Sequence, residues 1–318
     1  MDLFIKYNSK YNKSFYVRLH MKVLCFGSLN LDHVYRVDHI VRPGETITSS
    51  SYQIFSGGKG LNQAVALGRA NAACTMAGAI GKDGLDLLAA LEQSNISTDR
   101  ILVKDDRTGH TIIQVDRSGQ NSILYFPGTN QMIDESYIEQ VLSAFEPDDY
   151  ILLQNEINNV PAIMKRAKQK GLRIAFNPSP ITSDLLGYPL ELVDLFILNE
   201  LEGYELTQEK NTENMIHHLR KSYPNACVLL TLGKDGVVFH DGNVFLHHGI
   251  YDVKVVDTTA AGDTFTGYFL ACYAAGKKVE ECLRLASIAS SLAVSRAGAS
   301  PSIPFLAEVE SSCLKLVD

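Results

Sequence analysis

The 318-residue chain has no unbroken apolar run long enough to span a bilayer, so a transmembrane role is disfavoured. It also lacks a basic excess: 29 Lys and Arg stand against 36 Asp and Glu, a net charge of −7. Neutralising nucleic-acid phosphates needs a basic face, so a general nucleic-acid binder is disfavoured, while a local pocket for a small phosphate stays open. The six cysteines, Cys25, Cys74, Cys227, Cys272, Cys282 and Cys313, lack the short spacings of a zinc ribbon or redox pair. Most stand in apolar stretches such as ACVLL and FLACY, and read as reduced packing residues of a cytoplasmic protein. No G-x-x-x-x-G-K-[ST] is present, which excludes a P-loop NTPase. No G-x-G-x-x-G follows the first strand, which disfavours a dinucleotide fold. There is no low-complexity tract, no repeat of fixed period and no Pro/Gly/Ser linker. With 46% apolar and 20% charged residues, what remains is an ordinary globular chain.

Residues 1–20 carry Lys6, Lys10, Lys13 and Arg18 without a continuous apolar core, so they do not read as a secretory signal. They read as an N-terminal extension, loosely ordered or produced by an upstream start; a transit peptide is the alternative. Residues 21–318 read as one domain. KVLCFGS is a buried strand, HVYRVDHIV a mostly alternating one, and LNQAVALGRANA a helix. TGHTIIQVDRSGQNSILYFPG reads as a hairpin about Gly119. Two β-only segments, about 33–56 and 108–127, predict a small accessory sheet. From Tyr150 strands such as YILLQ and LRIAFN alternate with helical stretches such as VPAIMKRAKQKG, and ACVLLTL and VVFHD follow. This predicts an α/β fold with a largely parallel central sheet flanked by helices. A last helix runs through VEECLRLASIASSLAVSRAG toward a cap at Gly298.

Three stretches carry chemistry. In VVDTTAAGDTFTGYFL a strand ends at Asp257 and a helix starts near Gly262. The small residues Thr258, Thr259, Ala260 and Ala261 between them let backbone N–H groups converge on an anion at the helix end. Asp263 is then either a first-turn acid favouring the helix dipole or a general base facing the bound group. In SGGKGLNQA, Gly57 and Gly58 permit close backbone approach, Lys59 suits an anion, and Asn62 either caps the helix or binds a ligand. In GSLNLDH, Asn30 and Asp32 follow the first strand, as a polar turn or as a pair for sugar hydroxyls. The pairs His217–His218 and His247–His248 do not suggest a metal site. Helical neighbours diverge by about 100° and strand neighbours face opposite sides.

In this order and separation, GGKGLNQA and DTTAAGD, with PGET, YFPGTN, NPSP, LNELE and TLGKDG, resemble the ribokinase family of sugar kinases, the PfkB group. The resemblance runs from Met21 to about Pro304. By position it implies sugar binding at Asn30, Asp32, Gly58, Lys59, Gly60 and Asn62, with Glu156 in LLQNE as a further substrate-side acid. It implies magnesium and phosphate organisation at Asn199 and Glu202. The nucleotide loop would be Thr231, Leu232, Gly233, Lys234, Asp235 and Gly236, with Ser287 near adenine where several members have a histidine. The anion hole would be Ala260, Ala261 and Gly262, and Asp263 the base. A potassium ion would sit at Asp257, Thr259, Ala293, Arg296, Gly298 and Ser302, mostly on carbonyl oxygens.

The resemblance thus implies an ATP-dependent sugar kinase, D-ribose being the first choice of substrate, using Mg2+ and K+. The β-only segments would close as a lid and pair between two subunits of a homodimer. The alternatives are a kinase of the same family for fructose, deoxyribose, a nucleoside or a keto-sugar acid; a non-catalytic sugar or nucleotide sensor; and an α/β protein whose motifs are turns.

Overall fold

The computed structural model describes residues 21–317, and ahead of them the backbone of β1 (Phe4–Asn8) and β2 (Ser14–Arg18), paired antiparallel. The extension and its transit-peptide alternative fall on residues 1–20, of which the remainder lies outside the described residues.

From there the chain runs β3 (Val23–Phe26), β4 (Asn30–Arg36), β5 (Ser51–Gly57), α1 (Lys59–Arg69), β6 (Cys74–Gly81), α2 (Asp86–Glu92) and β7 (Ser97–Lys104). Next come β8 (Gly109–Val115), β9 (Asn121–Phe126), α3 (Glu135–Leu142), β10 (Tyr150–Gln154), α4 (Val160–Gln169) and β11 (Arg173–Asn177). Then follow β12 (Leu195–Asn199), α5 (Glu200–Thr207), α6 (Thr212–Ser222), β13 (Cys227–Thr231), β14 (Val237–His240) and β15 (Phe245–His248). The chain closes with β16 (Ile250–Tyr251), α7 (Ala261–Ala274), α8 (Val279–Val294), α9 (Leu306–Glu310) and β17 (Leu316–Val317).

Nine strands form the central sheet in the order β15-β14-β13-β12-β11-β10-β3-β6-β7. All neighbours are parallel except β13–β14 and β14–β15. The run VLCF explains why β3 lies at its middle. Val23 and Cys25 enter one apolar core, with α1, α2, α7 and α8; Leu24 and Phe26 enter the other, with α3, α4 and α6. A strand buried on both faces needs a continuous apolar run of this kind. From β3 the chain builds one side of the sheet through β6 and β7, then returns to β10 on the other side. The gap at the carboxyl ends of β3 and β10 is therefore the switch point, where open α/β sheets bind ligands.

The β-only segments join in a second sheet, ordered β5-β4-β8-β9. β4 pairs antiparallel with β5 and parallel with β8, and β8 turns back into β9. The expected α/β fold with a small extra sheet is what forms.

Four local expectations fail. Asn30 and Asp32 lie inside β4, not in a turn. α1 begins at Lys59, with Gly58 at its cap in a left-handed backbone (φ 91°), so Asn62 sits within the helix and caps nothing. The strand expected to end at Asp257 is absent, because the amides of Val256 and Asp257 donate to the Val294 carbonyl instead of to a strand. For the same reason α8 stops at Val294, four residues before Gly298: its last carbonyl serves the other loop.

Candidate active site

At the switch point Ser28, just past β3, donates from Oγ to Oε2 of Glu156, just past β10. The Lys59 amide donates to the same oxygen at 2.9 Å. Glu156 thus supplies the acceptor that Gly58 cannot, and places a negative charge at the positive end of α1. Burial pushes the Glu156 carboxyl above its ordinary range, against the pull of Lys59. Burial alone would lower the Lys59 ammonium, but the carboxylates of Asp263, Glu156 and Glu202 outweigh it and the net shift is upward. Beside them Oδ1 of Asn30 accepts from Asn130 Nδ2 at 2.7 Å, and Oδ1 of Asp32 accepts from Thr111 Oγ1 at 2.6 Å. Burial raises the Asp32 carboxyl, which the Thr111 bond and His33 only partly offset.

Asp263 stands in the first turn of α7. Ala260, at φ 59°, turns the chain into the helix, and Thr264 holds its carbonyl by N–H and hydroxyl, both at 2.8 Å. Ser290 of α8 donates to the Ala261 carbonyl at 3.0 Å. The first amides of a helix have no partner within it. A Cβ on Gly262 would meet nothing within 4 Å, so this helix end faces open space. The Asp263 side chain is only 8% exposed. Its Oδ2 accepts from Asn62 Nδ2 at 3.1 Å and its Oδ1 from Gln63 Nε2 at 2.9 Å. α1 and α7 come this close because residue 267 is glycine: a Cβ there would lie 2.4 Å from that of Ala66. Oδ1 of Asn62 is buried and has no hydrogen-bond partner. Such an orphan costs about 1–3 kcal/mol, and a hydroxyl donor from a ligand would remove that cost.

A third group continues from the second. Asn199 and Glu202 form a reciprocal cap on α5: the Glu202 amide donates to Asn199 Oδ1 at 2.8 Å, and the Asn199 amide donates to Glu202 Oε2 at 3.0 Å. Thr231 lies opposite Asn199 in the sheet register. The turn after it closes through Leu232 N to Gly236 O at 2.8 Å, leaving Lys234 and Asp235 exposed. Ser287 is buried on α8, one turn before Ser290.

Of the six cation positions, three are tied directly. Oδ1 of Asp257 accepts from the amide and hydroxyl of Thr259 at 2.9 and 2.6 Å, and Oδ2 accepts from the Gly298 amide at 3.0 Å. The Arg296 amide donates to Ala293 O at 3.1 Å, and Ser302 Oγ donates to Ala299 O at 2.8 Å. The Arg296 guanidinium points to Glu308, 2.7 Å away, so only its carbonyl is available to an ion. A cavity of about 900 Å³ lies elsewhere, lined by Asn155, Lys165 and Tyr188 among others, and none of the residues above lines it.

Residue types and spacing did not single out Ser28, Thr111, Asn130, Gln154, Asn177 or Gln63. Gln63 in LNQA, Asn130 in YFPGTN, Asn177 in NPSP and Ser28 in GSLNLDH stand inside quoted motifs, but no role was assigned to them there. They act through tertiary contacts between distant segments.

The family profile described as pfkB family carbohydrate kinase matches residues 21–306. The chain belongs to that family. The resemblance seen in the motifs therefore holds, and the protein is a carbohydrate kinase by family. It is 36% identical to the ribokinase of Haemophilus influenzae over 291 residues, covering 87% of this chain and 94% of the relative. It is 32% identical to that of Lactococcus lactis over 300 residues, covering 93% and 98%. Among solved structures, Arabidopsis thaliana ribokinase complexed with ribose and ATP superposes with a TM-score of 0.81 at 29% identity, covering 92% of this chain and 98% of that one. Cryptococcus neoformans ribokinase in complex with ADP gives 0.82 at 31%, covering 91% and 99%.

Proposed function

We propose that this kinase transfers the γ-phosphoryl group of ATP to the primary hydroxyl of a pentose, D-ribose first, giving ribose 5-phosphate. The observation that carries the reading is Asp263: a buried carboxylate at a helix N-terminus, held by two amide donors, beside the unpaired Asn62 Oδ1. Asp263 accepts the hydroxyl proton. Asn30, Asp32, Lys59, Asn62 and Glu156, with the backbone at Gly58 and Gly60, orient the sugar. The amides at Ala260, Ala261 and Gly262 face the charge on the transferring group. Thr231 to Gly236 and Ser287 belong to the nucleotide side. The names of the relatives support ribose and ATP.

Two ions go with this reading. Asn199 and Glu202 are an all-oxygen donor set, which fits a hard cation, and Mg2+ there would neutralise phosphate charge. A monovalent cation, K+, fits the Asp257 loop with carbonyls from Thr259, Ala293, Arg296 and Gly298 and the Ser302 position. No helix among the described residues is long and apolar enough to cross a membrane. Cys25, Cys74, Cys227, Cys272, Cys282 and Cys313 are all free, which supports a reducing cytoplasm. Residues 21–318 act as one kinase domain, the four-stranded sheet closes over the sugar as a lid, and two subunits pair through it.

ADP release from ATP and Mg2+, across sugars and nucleosides with and without K+, tests the reading. Ribose-dependent turnover that falls about 10²–10⁴-fold in Asp263→Asn is expected, the range for losing a general base. Turnover with another sugar only would keep the mechanism and overturn the substrate. Undiminished turnover in Asp263→Asn would overturn the base.

A further inference from the structure

We infer that Gln63 is the positioning residue for Asp263, and that a relay of buried amides fixes its orientation. The inference rests on reading Asp263 as the base. Gln63 is fully buried on α1. Its Nε2 donates to Asp263 Oδ1 at 2.9 Å and to Asn177 Oδ1 at 3.2 Å, and its Oε1 accepts from Gln154 Nε2 at 2.6 Å. Both donor hydrogens and the carbonyl are thus committed.

The direction of the amide follows from its neighbours. Asn177 spends its Nδ2 on the Ile197 carbonyl at 2.9 Å and on Glu202 Oε2 at 3.3 Å. Its Oδ1 must therefore face Gln63 as an acceptor, and Gln63 must answer with Nε2. Gln154 on the other side donates to the Gln63 carbonyl while its own Oε1 is buried without a partner, so the direction of Gln63 is set by Asp263 and Asn177 and Gln154 follows it. A flip of Gln63 would set acceptor against acceptor at Asn177 and at Asp263. In a buried site each such mismatch leaves groups unpaired, which is why the amide stays put. The consequence is a neutral donor aimed at one carboxylate oxygen of Asp263. It orients the carboxylate by holding that oxygen in place, so that the other is turned toward Asn62. Glu202, at the far end, is linked to the base through two amides.

The test compares Gln63→Met and Gln63→Glu with the wild type in kcat, KM and the kcat–pH profile. Unfolding temperature and sugar binding check that each variant folds. Gln63→Met removes the donor at similar length. A fall of about 10–100-fold in kcat is expected, the scale of one lost charge-assisted hydrogen bond, with sugar KM within a few-fold and the acidic limb of the profile moved to higher pH. Gln63→Glu puts a carboxylate where the donor was and should move that limb further. Lys59, Glu156 and Glu202 also act on this limb, and the variants leave them in place. A folded Gln63→Met with wild-type kcat and pH profile overturns the positioning role. So does a change confined to the KM for ATP, which would place Gln63 on the Glu202 side alone. Asp263→Asn run alongside separates the two failures: full activity there overturns the base itself, whatever Gln63 does.

Discussion

A methyl group on Gly57 would lie 2.0 Å from Oδ2 of Asp32. The two residues stand on paired strands: Asn30 faces Gly57 and Asp32 faces Phe55. The Asp32 carboxylate therefore lies across the backbone of the neighbouring strand, in space that only glycine leaves free. Gly57→Ala should push Asp32 off its Thr111 bond and away from the sugar. Sugar KM should rise about 10–100-fold, the scale of a lost hydrogen bond to a charged group, while kcat changes less. Steady-state kinetics at saturating ATP would decide it, and an unchanged sugar KM would show that Asp32 does not bind the sugar from this position.

Asp32 also makes a prediction about pH. Its folded-state pKa is raised, by burial above all. A raised carboxyl pKa means the folded state holds the proton more tightly than the unfolded chain. The stability this contributes is full below the ordinary aspartate range and is lost as pH rises through the folded value. Asp32→Asn cannot ionise and keeps an oxygen for Thr111. Without sugar, its unfolding temperature should gain on the wild type as pH is raised from acid to neutral. Scanning calorimetry over that range would refute the account if the difference stayed flat or shrank. Sugar KM should rise in the same variant, so here stability and binding oppose each other.

The sequence was most legible where chemistry is local. The small residues before Asp263 announce a helix N-terminus, and α7 starts there; the glycines before Lys59 read as a turn, and α1 starts directly after it. β3 and the strands from β10 to β13 were visible because doubly buried strands must be continuously apolar. What stayed hidden depends on partners far along the chain. Asp257 looked like the end of a strand, yet its amide and that of Val256 bond to the end of α8, 37 positions on from Asp257 at Val294. Asn62 looked like a cap until Gly58 and Glu156 took over that work. Gln154 and Asn177 end two strands as ordinary polar residues, and only the packing of α1 against α7 brings them into line with Asp263.

The Asp257 loop yields a test of the cation reading. Its carboxylate ties Thr259 to Gly298, and these bonds, working against burial, hold its pKa below the ordinary value. Asp257→Asn sets an amide N–H against either the Thr259 or the Gly298 amide, so one tie breaks. The half-activating K+ concentration should rise about tenfold or more, the scale of that bond. Turnover titrated with KCl at constant ionic strength measures it; equal half-activation in both proteins would remove Asp257 from the cation site.

The four-stranded sheet carries the last prediction. In register across it run Ile54, His33, Ile112 and Leu124, all on the face opposite Asp32 and Thr111. Leu124 is 67% exposed and Ile54 51%, and Tyr52 and Phe126 on the same face are also exposed. The row is apolar on three of the four strands, with His33 between Ile54 and Ile112, and it lies on the face opposite the one proposed for the sugar; contiguous apolar patches of this kind mark association surfaces. The dimer reading therefore predicts sedimentation at twice the 35.0 kDa chain mass. Leu124→Asp places a charge at the most exposed position of this row, on its edge strand, and should give a monomer with the same unfolding temperature at low protein concentration. Because Leu124 faces away from the sugar, activity lost on that change would reflect loss of the pairing that steadies the lid. A wild type that sediments as a monomer, or a Leu124→Asp dimer of undiminished affinity, would move the subunit contact off this face.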